Sequence, residues 1–208
     1  MIKNYKTEQE LFWSQEFGNK YIDRNKSDNS IASKCVLLSK IIDRTKNVNS
    51  IIEYGANTGL NLQALKFILP QCKISALEIN SKAVKELERW GGADEVFQDS
   101  ILEFRTNRKW DMVLVSGVLI HINPDWLPEV YNLLAQTSEK YVVMAEYYNP
   151  TPVTISYRGN EDRLFKRDFA GEMMDLHPEF NLLDYGFTYH RDPNFPRDDV
   201  TWFLLEKS

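Results

Sequence analysis

Ile51-Ile52-Glu53-Tyr54-Gly55-Ala56-Asn57-Thr58-Gly59-Leu60-Asn61-Leu62 is the stretch on which the fold turns: an apolar run meets an acid, then a glycine-punctuated turn, then a helical pattern. Ser50 to Tyr54 is short, β-branched and apolar enough for a buried strand. Leu62, Leu65 and Leu69, with Ala64 and Ile68, recur at helical spacing. Gly55 and Gly59 therefore fall between strand and helix, where they allow positive φ or a backbone close enough to touch a ligand.

Spacing decides which ligand such a turn serves. A triphosphate loop ends in Gly-Lys-Ser/Thr, whereas Gly59 is followed by Leu60 and Asn61, so nothing is offered to a triphosphate or its magnesium. A dinucleotide loop reads G-x-G-x-x-G, and here Asn57 and Leu60 stand at its second and third glycine positions. What remains resembles the first motif of the class I S-adenosylmethionine-dependent methyltransferases, with Glu53 before Gly55 and Gly59 after it. The resemblance implies that Glu53, Gly55, Ala56, Asn57 and Gly59 bind this cofactor. Asn57 replaces the middle glycine usual in that class, so its side chain is expected to take over a hydrogen bond to the cofactor.

At 208 residues and 43% hydrophobic composition the chain buries a full core and fits a single domain, 1–208, in which about residues 1–30 form a lid or cap. A net charge of −5, without a run of like charges, leaves no electrostatic footprint for nucleic acid or an anionic membrane. The start is charged rather than signal-like, and no stretch approaches the ~18 apolar residues of a membrane span, so a cytoplasmic protein is expected. Cys35 and Cys72 make neither a disulfide framework nor a zinc site, and His121, His177 and His190 lack metal-motif spacing, so no metal is implied. Nothing in the sequence reads on the oligomeric state.

Along the chain, Trp13, Phe17 and Tyr21 share a helical face, either as a stripe packed on the domain or as a lid. In the lid reading Tyr21 and Arg24 approach the cofactor, and Arg24 offers a guanidinium fork to its carboxylate. Lys73 to Glu78 reads as a second strand ending in an acid where open α/β folds hold a ribose diol; Glu78 could equally favour the next helix dipole. After a third strand near Glu95 to Phe97, the resemblance to the methyltransferase pattern implies that Asp99, Ser100 and Ile101 meet an adenine ring, with Asp99 alternatively a helix cap. Trp110 to Ser116 is the fourth strand, and Ser116, Gly117 and His121 should border the same crevice as Gly55. His121 is placed to act as a base near neutral pH, or to orient backbone or pack. Tyr141 to Glu146 is the fifth strand. The aromatic, proline-bearing segment at about 147–167 reads as a substrate-side loop, with Tyr157, Arg158, Lys166 and Arg167 facing an acidic acceptor, or as a surface loop packing its own tyrosines. Asn181 to Tyr189 and Thr201 to Glu206 close the chain as an antiparallel hairpin.

Five β/α repeats and a terminal hairpin match the seven-stranded, mostly parallel α/β sheet of the Rossmann-like class I methyltransferase fold, with helices on both faces. The chain also resembles, nearly end to end, the methylases associated with pseudaminic acid biosynthesis. The stretches that carry this are Phe12-Trp13, Glu16-Phe17-Gly18, Tyr21 to Asn25, Gly55 to Leu62, Gly117 to Pro124, Glu146 to Pro152, Leu164 to Gly171 and Tyr189 to Asp192. The resemblance implies a cytoplasmic enzyme that uses S-adenosylmethionine, releases S-adenosylhomocysteine, and methylates an oxygen or nitrogen of a small acceptor, such as a sugar or nonulosonic acid of surface-glycan biosynthesis. In that chemistry the protein supplies proximity and alignment, with His121 or Glu146 as base where a proton must leave, and Tyr21 or Tyr147 lining the cationic sulfur. A peptide or small amine as acceptor, a non-catalytic S-adenosylmethionine-binding protein and a nicotinamide enzyme are the alternatives.

Overall fold

The structure, a computed structural model, describes residues 5–24 and 28–208, with 23, 24 and 28–30 described by backbone alone. The chain begins with three helices, α1 (Glu8–Ser14), α2 (Glu16–Arg24) and α3 (Asp28–Ile42). The alternating part runs β1 (Ser50–Tyr54), α4 (Leu60–Ile68), β2 (Lys73–Glu78), α5 (Ser81–Trp90), β3 (Glu95–Gln98) and β4 (Trp110–Ser116). Two 3₁₀ turns, Leu119–His121 and Pro124–Trp126, then lead into α6 (Leu127–Thr137) and β5 (Ser138–Glu146). A hairpin, β6 (Val153–Tyr157) and β7 (Asn160–Lys166), precedes α7 (Phe169–Leu176), β8 (Phe180–Phe187) and β9 (Thr201–Lys207).

The main sheet has seven strands in the order β3-β2-β1-β4-β5-β9-β8, parallel through β5 and antiparallel at β9 and β8. Period-two alternation splits its core. Ile52 and Tyr54 face the layer of α6 and α7, where Val113, Leu134 and Met173 are buried. Ile51 faces the layer of α3 and α4, with Leu38, Leu65 and Leu114. Glu53 lies between Ile52 and Tyr54 in sequence, so it shares the second face and reaches α4. Burying each such Ile or Leu is worth roughly 1.5–3 kcal/mol, which is why a five-residue strand suffices at the centre of the sheet. The chain reverses its strand order between β1 and β4, and a crevice opens outside the carboxyl ends of those strands.

Two segments differ from the sequence reading. The aromatic N-terminal stretch is two helices rather than one, broken at Gln15, where φ is −118° and ψ −141°. The segment read as a loop at 147–167 is largely a two-stranded hairpin, turned by Arg158 and Gly159, whose φ values of 52° and 80° are the paired left-handed residues of a tight hairpin turn. Its β6 strand is exposed along most of its length, so no apolar alternation announced it. Among the described residues, no helix is long and apolar enough to cross a membrane.

Candidate functional site

The crevice is built on the glycine loop. Gly55 has φ +70° and donates its amide to the Leu77 carbonyl at 2.8 Å; a Cβ there would stand 2.4 Å from Val118 Cγ2. Asn57, at φ 50°, donates its amide to Glu78 Oε2 at 2.7 Å, and Glu78 Oε1 accepts from the Asn80 amide at 2.7 Å. Glu78 therefore pins the loop from the end of β2. Burial raises its pKa, and the amides of Asn80 and Asn57 pull it back; the carboxyl is held by two N–H groups while its remaining lone pairs suit a vicinal diol. Asn57 Oδ1 is buried with no hydrogen-bond partner among the described residues.

Glu53 lies at the opposite wall. Its Oε1 accepts from Asn61 Nδ2 of α4 at 2.6 Å, while Oε2 is buried without a hydrogen-bond partner among the described residues. Burial pushes its carboxyl up to about 7, against the Asn61 hydrogen bond and the charge of Lys34. Gly117, at φ +67°, has nothing within 4 Å of where a Cβ would lie, so the backbone after β4 is bare toward the crevice.

Two cavities meet at this point. One is lined by Glu78, Asp99, Ser100, Ile101, Val118 and Trp13; the other by Glu53, Ala56, Asn57, Glu146, Tyr147 and Tyr157. Tyr21, Gly55, Asn57, Ser116, Gly117 and His121 line both. The first is roofed by α1 and α2. Thr7 and Glu10 form a capping box that starts α1, and the other Glu10 oxygen accepts a hydrogen bond from the Ser100 hydroxyl. Asn80 Nδ2 donates to the Trp13 carbonyl at 3.0 Å and to Asn19 Oδ1 at 3.1 Å, while its Oδ1 caps α5. A Cβ on Gly18 would fall 1.9 Å from the Trp13 carbonyl, so α2 passes too close for any other residue.

His121 is buried, and its Nδ1–H donates to the Arg163 carbonyl at 2.6 Å, which leaves Nε2 as the acceptor. Burial pushes its pKa down to about 4, so the ring is neutral at physiological pH and a weak base. Its ring packs at a tilt 4.5 Å from that of Trp13 and 5.0 Å from that of Tyr157, which joins the roof, the β4 turn and the hairpin in one aromatic cluster. Glu146 accepts from the amides of Val118 at 3.0 Å and Leu119 at 3.1 Å, so its carboxylate fixes the turn that carries Gly117 and His121. Its pKa is raised to about 7 by burial, against those amides. Burial, and then the negative charge of Asp198, raise the pKa of the Tyr147 hydroxyl.

The remaining sequence candidates divide. Tyr157 and Arg158 line the second cavity, but Lys166 and Arg167 line neither: Lys166 Nζ packs 5.1 Å from the Tyr147 ring centroid, and Arg167 Nε is paired with Glu172 at 2.7 Å. Neither is brought to a cavity wall: Lys166 ends β7 against the Tyr147 ring, and Arg167, which follows it, is held by Glu172 of α7. Gly59 shapes α4 rather than lining a cavity: it precedes the helix at φ +80°, and a Cβ would stand 2.5 Å from Leu87. The Arg24 side chain lies outside the described residues, as does Asn25.

Several lining residues escaped the sequence reading: Glu10, Ser33, Lys34, Asn80, Arg197 and Asp198. Asn80 carried a legible signal, an N-cap residue type before α5. Lys34 and Arg197 carried none, since a lysine in a helix and an arginine in a polar loop read as solvated surface.

No protein-family model matches the chain, and no curated protein matches it in sequence. Solved structures do. An S-adenosylmethionine-dependent methyltransferase from Clostridium acetobutylicum aligns with a TM-score of 0.65 at 12% identity, over 93% of this chain and 100% of that one. Magnesium protoporphyrin IX methyltransferase from Synechocystis, with S-adenosylmethionine bound, gives 0.66 at 12% identity, over 99% and 100%. A 1,6-didemethyltoxoflavin-N1-methyltransferase from Burkholderia thailandensis, with 1,6-didemethyltoxoflavin and S-adenosylhomocysteine bound, gives 0.67 at 12% identity, over 96% and 87%. At such identities the likeness is one of architecture: the chain has the Rossmann-like fold of the class I methyltransferases.

Proposed function

We propose that the protein is an S-adenosylmethionine-dependent methyltransferase acting on an oxygen or nitrogen of a small, acidic acceptor, a sugar or nonulosonic acid of surface-glycan biosynthesis. The observation that carries this is the meeting of two cavities at a bare backbone, Gly55 and Gly117, with Glu78 pinning the loop in one and unpartnered Glu53 Oε2 opening on the other. The residues fit the cofactor. Glu78 suits the ribose diol, while Asp99, Ser100 and Ile101 suit the adenine edge and face. Glu53 and Asn57 offer buried oxygens to the ammonium of an amino-acid tail. S-adenosylmethionine supplies a methyl group already activated on its sulfonium.

The chain's own residues then have to orient the acceptor and keep water out. Trp13, Tyr21, Tyr157 and His121 close the aromatic rim, whose faces suit a sugar ring or a cationic sulfur. Neutral His121 offers Nε2 as a hydrogen-bond acceptor to an acceptor hydroxyl, and Glu146 works through the backbone turn it holds, as a positioning residue. Tyr147, which lines the second cavity with Asp198, is the other polar group on the acceptor side and a route for a departing proton.

The test is calorimetric titration of the protein with S-adenosylmethionine, S-adenosylhomocysteine and NAD, followed by transfer of labelled methyl groups to a panel of sugar acids, amines and peptides. Binding of the two adenosyl ligands alone, with label passing to a sugar acid, is the expected result. NAD binding in their place sinks the cofactor assignment; tight adenosyl binding with no labelled acceptor favours a non-catalytic binding protein.

A further inference from the structure

Lys34, on α3, and Arg197, in the loop between β8 and β9, both line the second cavity beside Glu53 and the glycine loop. The fold brings two cations from opposite ends of the chain to one wall. Arg197 Nη1 is buried there with no hydrogen-bond partner among the described residues, a costly arrangement for a charged donor. Burial, and then the charge of Arg197, push Lys34 down to about 8, and burial likewise lowers Arg197. The acids nearby relieve this only in part. Glu53 is itself held up to about 7 with one oxygen on Asn61, and neither it nor Asp198 accepts a hydrogen bond from Arg197 Nη1.

We propose that Lys34 and Arg197 form a carboxylate-binding pair, completed by an anion that the ligand brings into the second cavity. A guanidinium fork takes both oxygens of a carboxylate, and an ammonium beside it adds a point charge. Neighbouring Glu53 Oε2 is open to an ammonium, so the wall as a whole is complementary to an α-amino acid head group, the tail of the cofactor. The same pair would equally take the carboxylate of an acidic acceptor. The proposal rests on the methyltransferase reading, and its test separates the two.

Calorimetry is run on the full chain with S-adenosylhomocysteine, with 5′-methylthioadenosine, which keeps the adenosyl group and lacks the amino-acid tail, and with N-acetylneuraminate as a sugar-acid probe. Lys34→Met and Arg197→Met are each expected to weaken S-adenosylhomocysteine tenfold or more and to leave 5′-methylthioadenosine unchanged, with Arg197→Lys restoring part of the loss. Unchanged adenosyl binding with lost N-acetylneuraminate binding also supports the pair and assigns it to the acceptor. Variants that bind all three probes as wild type does overturn it, as does equal weakening of both adenosyl ligands, which would mark a structural role. A wild-type chain that binds neither adenosyl ligand removes the reading beneath the proposal, a result visible before any variant is made.

Discussion

The two glycines facing the crevice separate backbone strain from ligand space. Gly55→Ala introduces a methyl 2.4 Å from Val118 at φ +70°, so both the loop and the β4 turn must shift. A loss of about 1–3 kcal/mol in urea denaturation, together with lost S-adenosylhomocysteine binding, is expected. Gly117→Ala meets nothing within 4 Å and bears only the strain of φ +67°, about 1 kcal/mol, yet its methyl enters the ligand's space. Binding should fall much further than stability, and equal losses in the two variants would refute the distinction. Buried acids give a second residue-level prediction. Glu53 and Glu146 are raised from 4.5 to about 7, so each adds stability that is complete below about 4.5 and lost as the pH climbs through about 7. His121, lowered from 6.5 to about 4, acts in the opposite sense, its contribution being lost as the pH falls through that range. Two carboxyls outweigh one imidazole, so the melting temperature of the ligand-free protein should decline from pH 5 to 7.5, and Glu53→Gln should flatten the decline. An unaltered slope in that variant would show that Glu53 titrates normally. The places of the glycine loop and Glu78 beside one crevice were legible because they depend on local spacing. Lys34 and Arg197 were not, because only the fold carries them to one wall.

At the scale of elements, the roof made by α1 and α2 depends on a single side chain for two tasks. Asn80 caps α5 through its carbonyl oxygen, accepting from Lys82 and Ala83 amides at 2.9 and 3.2 Å, and clips the roof through its amide. Asn80→Ala should cost about 1–2 kcal/mol for the lost cap and speed S-adenosylhomocysteine dissociation. Asn80→Asp keeps the cap acceptor and loses the donor, so stopped-flow should show faster dissociation without the cap's share of lost stability. Dissociation at the wild-type rate in both would mean that the roof is held elsewhere, by Glu10 on Ser100 or by Gln9 on the Asp162 carbonyl. The central strands β1 and β4 were readable as elements because buried parallel strands are near-continuous apolar runs. The β6–β7 hairpin was not: it is solvent-facing, its pairing is local, and its turn residues, Arg158 and Gly159, carry only one of the usual turn signals.

For the whole molecule, the order β3-β2-β1-β4-β5-β9-β8 gathers the residues that line the two cavities at one end of the sheet, from elements as distant in sequence as α1 and the β8–β9 loop. A ligand seated there touches roof, glycine loop, β4 turn and C-terminal loop together, so its binding energy appears as global stability. At a hundredfold excess over its dissociation constant a ligand that binds only the folded state adds about 2.7 kcal/mol. For a chain of 208 residues each kcal/mol is worth about 2–4 °C, so S-adenosylhomocysteine should raise the melting temperature by roughly 5–10 °C. NAD at the same concentration should leave it unmoved, because the loop lacks two of the glycines that let a pyrophosphate approach. Truncation of α1 and α2 should shrink the shift while leaving the unliganded midpoint near its original value, since the two buried core layers draw on the sheet and the later helices and only lightly on these two. A truncated protein that melts far below the intact one before ligand is added would instead make the roof part of the fold's foundation.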